Sequence, residues 1–125
     1  MKDLVTNTLK VLLKNIKNIA IVGVSSNPER DSYKVMEFLL EQGYKIFPVN
    51  PKEANILGSK CYQSLTSIDE RIDMVDIFRA KEFIFELTKE AIKINASVIW
   101  MQEGIIDKKS SSLGKSNGIK VVMDQ

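Results

Sequence analysis

Histidine is absent from this 125-residue sequence, and cysteine occurs once, as Cys61. Without histidine the chain cannot build a Ser-His-Asp or Cys-His catalytic arrangement, and it cannot bind zinc through imidazole nitrogens. A lone cysteine excludes an internal disulfide framework and a cysteine-rich metal site. We therefore expect no metal centre and no catalytic triad, so that any proton transfer would fall to carboxylates, lysine or tyrosine.

Long apolar runs and a strong net charge are also missing. No apolar stretch approaches the roughly 20 residues of a membrane span, and Lys10 and Lys14 interrupt the region where a signal sequence would lie. The net charge is +2 and the lysines are spread along the chain, so a basic face for nucleic acid is not expected. These absences predict a cytoplasmic protein that binds neither membranes nor nucleic acid. The length fits one domain over residues 1–125.

Short apolar runs alternate with amphipathic segments along most of the sequence. The apolar runs predict strands over residues 19–23, 45–49, 73–78, 97–101 and 119–123, with a short edge strand over 58–62. The amphipathic segments predict helices over residues 3–16, 32–42, 81–94 and 107–116. The last of these is the weakest prediction, because three serines and Gly114 lower its helix propensity.

Strands that alternate with helices favour an α/β fold with a parallel sheet covered on both faces. Right-handed crossovers then give a doubly wound, Rossmann-like sheet in the order 3-2-1-4-5-6, with three layers and an added N-terminal helix. A flavodoxin-like strand order is the alternative.

The turn after the first strand predicts a phosphate-binding loop. The apolar run ends at Gly23, and a small polar loop leads into the first of the central helices. Such a turn brings free backbone N–H groups and the positive end of a helix to one place. Ser25 adds a hydroxyl, and Arg30 can form a forked pair with phosphate oxygens. An ordinary turn serine, and a surface ion pair of Arg30 with a neighbouring carboxylate, are equally good interpretations from position alone.

The same loop departs from the known nucleotide fingerprints. The dinucleotide pattern G-x-G-x-x-G would need glycine where Ser25 and Pro28 stand. An NAD site also prefers an acidic residue after the second strand, where this chain has Asn50-Pro51. The sequence contains no G-x-x-x-x-G-K-[ST] motif either. These departures disfavour NAD and exclude a phosphate-loop NTPase.

Four segments should meet in one crevice, since the carboxyl ends of parallel strands lie at the same edge of a sheet. They are residues 23–30, 49–51, 78–79 and 101–104. Taken alone, each of the last three is explained equally well or better as an ordinary loop, a core residue or a solvated side chain. Trp100 is expected in the core.

Other reactive side chains give weaker signals. The carboxylates of Asp73, Asp76 and Glu103 are not paired by spacing, so helix-cap or surface roles are expected for them. Cys61 is expected to be an inert, partly buried thiol whose pKa Lys60 could lower slightly.

Seven short motifs occur in a fixed order and together resemble a known family. They are Val22–Ser25, Arg30–Tyr33, Gly43-Tyr44, Pro48–Pro51, Leu57–Tyr62, Val75–Arg79 and Trp100–Gln102 with Gly104. In this order they resemble the stand-alone coenzyme A-binding domain proteins of bacteria. That family is similar to the N-terminal CoA-binding domain of the succinyl-CoA synthetase alpha subunit. The resemblance covers about residues 16–124.

The resemblance implies a Rossmann-like fold that binds CoA or an acyl-CoA across the strand ends. The positions that match the family's binding segments are Gly23, Val24, Ser25, Arg30, Ser32, Tyr33, Val49, Asn50, Pro51, Phe78, Arg79, Met101, Gln102 and Gly104.

Related ligases carry a second domain with a phosphorylated histidine, and this sequence has no histidine. The resemblance therefore implies CoA binding without catalysis, unless a partner supplies the chemistry. Two alternatives stay open: an NAD(P)-binding, oxidoreductase-like domain, and a CoA-dependent docking module for an acyl-CoA ligase partner. A homodimer, and the choice between free CoA and acyl-CoA, also stay open.

Overall fold

A parallel five-stranded sheet forms the centre of the computed structural model, which describes residues 13–102 and 107–123. The elements in chain order are β1 (Asn18–Val22), α1 (Asp31–Glu41), β2 (Lys45–Val49), β3 (Asn55–Ile56), β4 (Ser59–Lys60), β5 (Met74–Ile77), α2 (Ile84–Lys93), β6 (Val98–Met101), α3 (Lys108–Ser116) and β7 (Lys120–Met123). Short 3-10 turns occupy Leu65–Ser67 and Lys81–Phe83.

The sheet order is β2-β1-β5-β6-β7 and every pairing in it is parallel. Helices cover both faces, so the predicted three-layer, Rossmann-like α/β fold is confirmed. β1 lies beside both β2 and β5, and the chain direction across the sheet reverses there. This is the switch point at which doubly wound folds bind their ligands.

The predicted edge strand over residues 58–62 is reduced to one bridge. Leu57 and Gly58 both have positive φ and form a tight turn, which folds β3 against β4 as a separate antiparallel hairpin. Only Tyr62 reaches the sheet, through a parallel bridge to Val49. This bridge is at the outer edge of β2, where the order 3-2-1-4-5-6 puts its third strand. Without this bridge, the five strands of the sheet are in the flavodoxin-like order, which the sequence left open as the alternative.

Alternation along the strands divides the core between the two faces. On β1, Ile19 and Ile21 belong to the apolar cluster that includes α1, and Ala20 and Val22 belong to the cluster that includes α2. Trp100 is 2% exposed and lies in the α1-side cluster, as expected. The strand side chains are therefore used to pack the helices onto the sheet, and the loops at the strand ends are left to form a site.

Two predictions fall on residues that the structure does not describe. Most of the predicted N-terminal helix, and Gly104 with its neighbour Glu103, lie outside the described residues. Leu13 and Ile16, at the end of that predicted helix, are buried in the α1-side core.

Candidate functional site

Two cavities open at the carboxyl ends of the strands, and Gly23 lines both. The larger, which we call the loop cavity, has a volume of about 550 Å³ and is lined by Gly23, Ser25, Glu29, Arg30, Asp31, Ser32 and Phe78. The smaller, the β2 cavity, has a volume of about 210 Å³ and is lined by Gly23, Val49, Asn50, Pro51, Lys52 and Arg79. Three of the four predicted segments therefore meet in one crevice.

Gly23 joins the exits of three strands. Its φ is +83°, a conformation that glycine adopts without strain, and its N–H donates to the carbonyl of Val49 at 3.0 Å. A Cβ at this position would lie 2.3 Å from the carbonyl oxygen of Phe78 and 2.8 Å from Cδ of Arg79. The crevice can close this tightly around residue 23 only because no side chain is present there.

The loop between β1 and α1 is fixed by its own hydrogen bonds. Ser25 N–H donates to Ser32 Oγ at 2.9 Å, and Asn27 N–H donates to Ser25 Oγ at 3.0 Å. Asn27 Oδ1 then accepts from the N–H of Glu29 at 3.0 Å. Each hydroxyl oxygen is used here as an acceptor, so the hydroxyl hydrogens of Ser25 and Ser32 remain to donate into the cavity that both residues line.

The start of α1 faces the loop cavity. Arg30 is the N-cap residue, and its guanidinium has only N–H donors, so it cannot cap the first-turn N–H groups of the helix, which remain available to a ligand. Arg30 is exposed, and within the described residues it forms no ion pair with Glu29 or Asp31. Both carboxylates nevertheless line the same cavity. The predicted segment 23–30 contains Glu29, but neither carboxylate was among the predicted binding residues.

Asn50 connects the second loop to the first. Its Nδ2 donates to the carbonyl of Val24 at 2.9 Å, and its Oδ1 accepts from the N–H of Lys52 at 2.8 Å. A second link runs from Ser26 Oγ to Glu53 Oε2 at 3.2 Å. The amide of Asn50 is thus a structural tie between the two walls of the crevice.

Two cations border the β2 cavity, Lys52 and Arg79. The guanidinium of Arg79 lies 4.0 Å from the centre of the Phe83 ring, a cation–π contact that holds it in place. Phe83 is 45% exposed and is the last residue of the 3-10 turn that follows β5. Lys52 and Phe83 were missed from the sequence, because neither belongs to a strand end or to a motif.

Several predicted site residues do not line either cavity with their side chains. Val24 and Met101 are fully buried in the core, and Tyr33 packs against the α1-side cluster. Gln102 is buried as well, at 1% exposure. Any contact of Val24, Met101 or Gln102 with a ligand would be through backbone atoms, and the roles of all four residues stay predictions.

The expectation of a surface or helix-cap role is wrong for Asp76. This residue lies inside β5 with no exposure, and Gln102 Nε2 donates to its Oδ1 at 2.6 Å. Burial raises the pKa of Asp76 to about 8, although the hydrogen bond from Gln102 opposes the shift. Neither residue lines the two cavities.

Asp73, by contrast, is at the protein surface near the amino end of β1. Its Oδ2 accepts from the N–H groups of Lys17 at 3.0 Å and Asn18 at 2.9 Å. Burial opposes ionisation, but these bonds and the nearby Arg71 outweigh it and hold the pKa of Asp73 below its ordinary value.

Cys61 is partly buried, as expected, but Lys60 does not activate it. Burial and the charge of Glu53 raise the pKa of the thiol.

Over residues 13–102 and 107–123 no group of three or more acidic, histidine or cysteine side chains is arranged to hold a metal ion. No helix in that part of the chain has the length and apolar character needed to cross a membrane.

Comparison with known proteins assigns the family. The sequence model of the CoA binding domain matches residues 17–125. The chain belongs to the CoA binding domain family. The chain is 37% identical over 116 residues to the uncharacterized protein YneT of Bacillus subtilis (strain 168), an alignment that covers 93% of this chain and 86% of YneT.

Two further relatives extend the comparison. The chain is 37% identical over 71 residues to the acetate–CoA ligase (ADP-forming) II subunit alpha of Pyrococcus furiosus, an alignment that covers 56% of this chain but only 16% of that subunit. Its structure matches that of a hypothetical protein from Pyrococcus horikoshii OT3 with a TM-score of 0.89 and 39% identity, covering 93% of this chain and 82% of the other. The family resemblance drawn from the sequence motifs is therefore confirmed.

Proposed function

We propose that this chain binds coenzyme A, free or acylated, in the crevice around Gly23, and that it has no catalytic activity of its own. The observation that carries the proposal is the pair of cavities that meet at Gly23, one bordered by Arg30 and the other by Arg79. CoA carries a diphosphate and a separate ribose phosphate, so it needs two cationic places a short distance apart. The cytoplasmic location predicted from the sequence is part of the proposal.

The loop cavity suits one phosphate group of the ligand. The hydroxyls of Ser25 and Ser32 line it, α1 begins beside it, and Arg30 can add a forked pair of hydrogen bonds. Its volume of about 550 Å³ is within the usual range for small-molecule sites.

The β2 cavity suits the nucleoside end. Main-chain groups of Asn50 and Pro51 can contact a base there, and Lys52 and Arg79 can neutralise the ribose phosphate. Dephospho-CoA lacks that phosphate, so it should bind more weakly than CoA if this orientation is correct.

The groups that the crevice offers support a function without catalysis. The serine hydroxyls have no histidine to activate them, since the sequence contains none. The carboxylates of Glu29 and Asp31 line the loop cavity, and both residues are exposed to solvent.

Thermal unfolding with a panel of ligands tests the proposal. The panel contains CoA, acetyl-CoA, dephospho-CoA, NAD and NADP. A ligand at ~100 times its Kd stabilises the native state by about 2.7 kcal/mol, which corresponds to a rise in Tm of several degrees. We expect CoA or acetyl-CoA to raise the Tm most. No shift with any CoA species in a folded sample would sink the proposal, and selective stabilisation by NAD(P) would favour the oxidoreductase-like alternative.

A second candidate function is a CoA-loaded docking module for an acyl-CoA ligase partner. The similarity to 71 residues of a ligase alpha subunit favours it. Affinity capture from a lysate, with and without CoA, tests it. Recovery of a ligase only with CoA present would support the docking role, and recovery that is indifferent to CoA would count against it.

A further inference from the structure

Asp76 and Gln102 form an isolated polar pair in the apolar interior. Asp76 has no exposure and Gln102 is 1% exposed. Gln102 Nε2 donates to Asp76 Oδ1 at 2.6 Å, a short distance for an N–H···O bond. The remaining oxygen of each side chain, Asp76 Oδ2 and Gln102 Oε1, is buried and has no hydrogen-bond partner within the described residues.

One proton would satisfy both of these oxygens. Two acceptors cannot bond to each other, and an acceptor that is buried without a donor has lost its hydrogen bonds to water with no replacement. A protonated carboxyl group has an O–H donor as well as an acceptor oxygen. With the proton on Oδ2, Asp76 donates to Gln102 Oε1 while Oδ1 still accepts from Nε2, and the two side chains form a closed ring of two hydrogen bonds.

The surroundings of Asp76 favour the neutral acid. In register across the sheet it is flanked by Ile21 of β1 and Trp100 of β6. Among the inward residues of α1, Val35, Met36 and Leu39 are apolar, and the buried Ser32 is polar but uncharged. The charged residues of α1 are exposed: Asp31, Lys34, Glu37 and Glu41.

Other titratable groups are at the margins of this region. The phenols of Tyr33 and Tyr44 and the thiol of Cys61 lie in the partly buried rim of the α1-side cluster. Asp73 precedes β5 at its amino end, where main-chain N–H groups and Arg71 hold it. Among the described residues none of these provides Asp76 with a cation, and burial raises its pKa to about 8.

The pair joins the ends of two strands next to the crevice. Asp76 precedes Phe78, which lines the loop cavity, by two residues. Gln102 directly follows β6, and its N–H donates to the carbonyl of Ile77 at 3.2 Å. We propose that Asp76 stays protonated in the native protein and forms an acid–amide pair with Gln102, which positions the exits of β5 and β6 so that ionisation of Asp76 at alkaline pH weakens ligand binding. The effect on ligand binding rests on the proposed function, whereas the acid–amide pair itself does not.

The ligand-free test compares wild type with Asp76→Asn. Asparagine keeps the ring of hydrogen bonds, because its Nδ2 donates to Gln102 Oε1 and its Oδ1 accepts, but it cannot ionise. In the folded wild type Asp76 keeps its proton up to about pH 8, whereas in the unfolded chain it loses the proton near pH ~4. The contribution of this proton to stability is therefore complete below pH ~4 and decreases as pH rises towards about 8. Relative to the variant, the folding equilibrium constant of the wild type should fall about tenfold per pH unit in this window and level off above it. A difference in stability between wild type and Asp76→Asn that does not change with pH would overturn the protonated acid–amide pair.

Infrared spectroscopy gives a readout that needs no variant. A protonated carboxylic acid has its own carbonyl band, which we expect in the wild type at neutral pH and which should vanish on titration above about pH 8. Asp76→Asn should lack the band. The double variant Asp76→Asn with Gln102→Glu reverses the acid and the amide, and should restore it. A wild type without the band at neutral pH would overturn the proposal even if the variants fail to fold.

The ligand test measures the Kd of CoA from about pH 6 to about pH 10 in wild type and in Asp76→Asn. Ionisation of CoA itself affects both proteins equally. Affinity of the wild type should fall relative to the variant above about pH 8. Identical profiles would overturn the link to the crevice. If CoA binds neither protein, the proposed function fails, while stability and the infrared band still decide whether the pair exists.

Discussion

Gly23 is the residue on which the geometry of the crevice depends most. We predict that Gly23→Ala lowers the free energy of unfolding by roughly 2–5 kcal/mol, because the new Cβ would overlap the carbonyl oxygen of Phe78 in a conformation with φ of +83°. Urea denaturation measures this loss.

Gly43 provides the matched control for that substitution. Its φ is +92°, but no atom lies within 4 Å of the position of its Cβ. Gly43→Ala therefore introduces the backbone strain without the steric overlap, and it should lower the free energy of unfolding by less than Gly23→Ala does. Equal losses for the two variants would contradict the tight contact at Gly23.

Arg30 is the residue that we expect to contribute most to phosphate binding. Arg30→Ala should weaken CoA binding by about 1–3 kcal/mol, roughly 5- to 150-fold in Kd, from the loss of charge-assisted hydrogen bonds. Calorimetric titration measures this change. Arg71→Ala is the control, since Arg71 is an exposed arginine that contacts Asp73 rather than the crevice. An unchanged affinity for Arg30→Ala would return Arg30 to the role of a solvated surface residue.

Sequence reasoning found the segments of the crevice better than the side chains within them. Gly23, Ser25 and Arg30 line the cavities, but Val24 lies in the same motif and is buried. A motif marks a stretch of chain, but it does not tell which of its side chains turn into the core and which line a cavity. Asp76 was misplaced for a related reason: an acidic residue in a strand is normally at an exposed position, and its partner Gln102 is 26 residues away.

At the scale of single elements, α3 shows how packing outweighs helix propensity. Its serines and Gly114 predicted a weak helix, yet Ser110, Ser111 and Gly114 form the buried face of a nine-residue helix. A Cβ on Gly114 would lie 2.8 Å from Cγ2 of Val121 in β7. The small residues allow the helix to approach the sheet closely, and Asp107 caps its first turn by accepting from Ser110 N–H.

This packing predicts a change in stability for Gly114→Ala that is opposite in sign to the change expected from helix propensity. Gly→Ala in a helix interior normally stabilises by about 1 kcal/mol, but we predict that Gly114→Ala destabilises by about 1–3 kcal/mol because the methyl group overpacks against Val121. Ser112→Ala, at an exposed position of the same helix, should stabilise slightly. Chemical denaturation of both variants compares the two effects. A more stable Gly114→Ala protein would show that α3 can move away from the sheet at little cost.

The junction between β1 and β5 makes a prediction about acid stability. Asp73→Ala removes the acceptor of two main-chain N–H groups, and we expect a loss of about 1–3 kcal/mol at neutral pH. Because the native pKa of Asp73 is lowered, its contribution is present above pH ~4 and is lost as pH falls through the native value.

The pH dependence of the difference between wild type and Asp73→Ala tests this account. The difference should shrink on acidification below pH ~4. Asp69→Ala, at an exposed acidic position nearby, is the control and should show little effect. A difference that stays constant down to low pH would mean that Asp73 acts through packing rather than through its charge.

Element boundaries were predicted to within a residue or two, except where a local turn intervened. The first helix was expected over residues 32–42 and occupies Asp31–Glu41. The predicted edge strand over 58–62 is reduced to β4 and the bridge at Tyr62, because the turn at Leu57 and Gly58 pairs β4 with β3 instead of with the main sheet. Apolar patterning reports burial, but it does not distinguish a strand of the main sheet from half of a hairpin that packs on it.

For the whole molecule, the sequence predicted the fold class and the family, and topology alone indicated where a ligand should bind. Alternating strands and helices allow few arrangements, and β1 at the reversal of strand order puts Gly23 at the carboxyl edge of the sheet. What patterning could not give is the pair of cavities and the cations beside them, which depend on loops brought together only by the folded sheet.

The most direct test of the central claim is an NMR titration of the isotope-labelled protein with CoA, following backbone amide shifts. We predict that the largest changes occur around the crevice, at Gly23, Ser25, Arg30, Asn50 and Arg79. A different cavity, of about 490 Å³, lies by the edge of β2 and is lined by Tyr44 and Lys45 among others. Changes concentrated there, or no changes at saturating CoA, would contradict the claim that this chain holds CoA at the carboxyl ends of its strands.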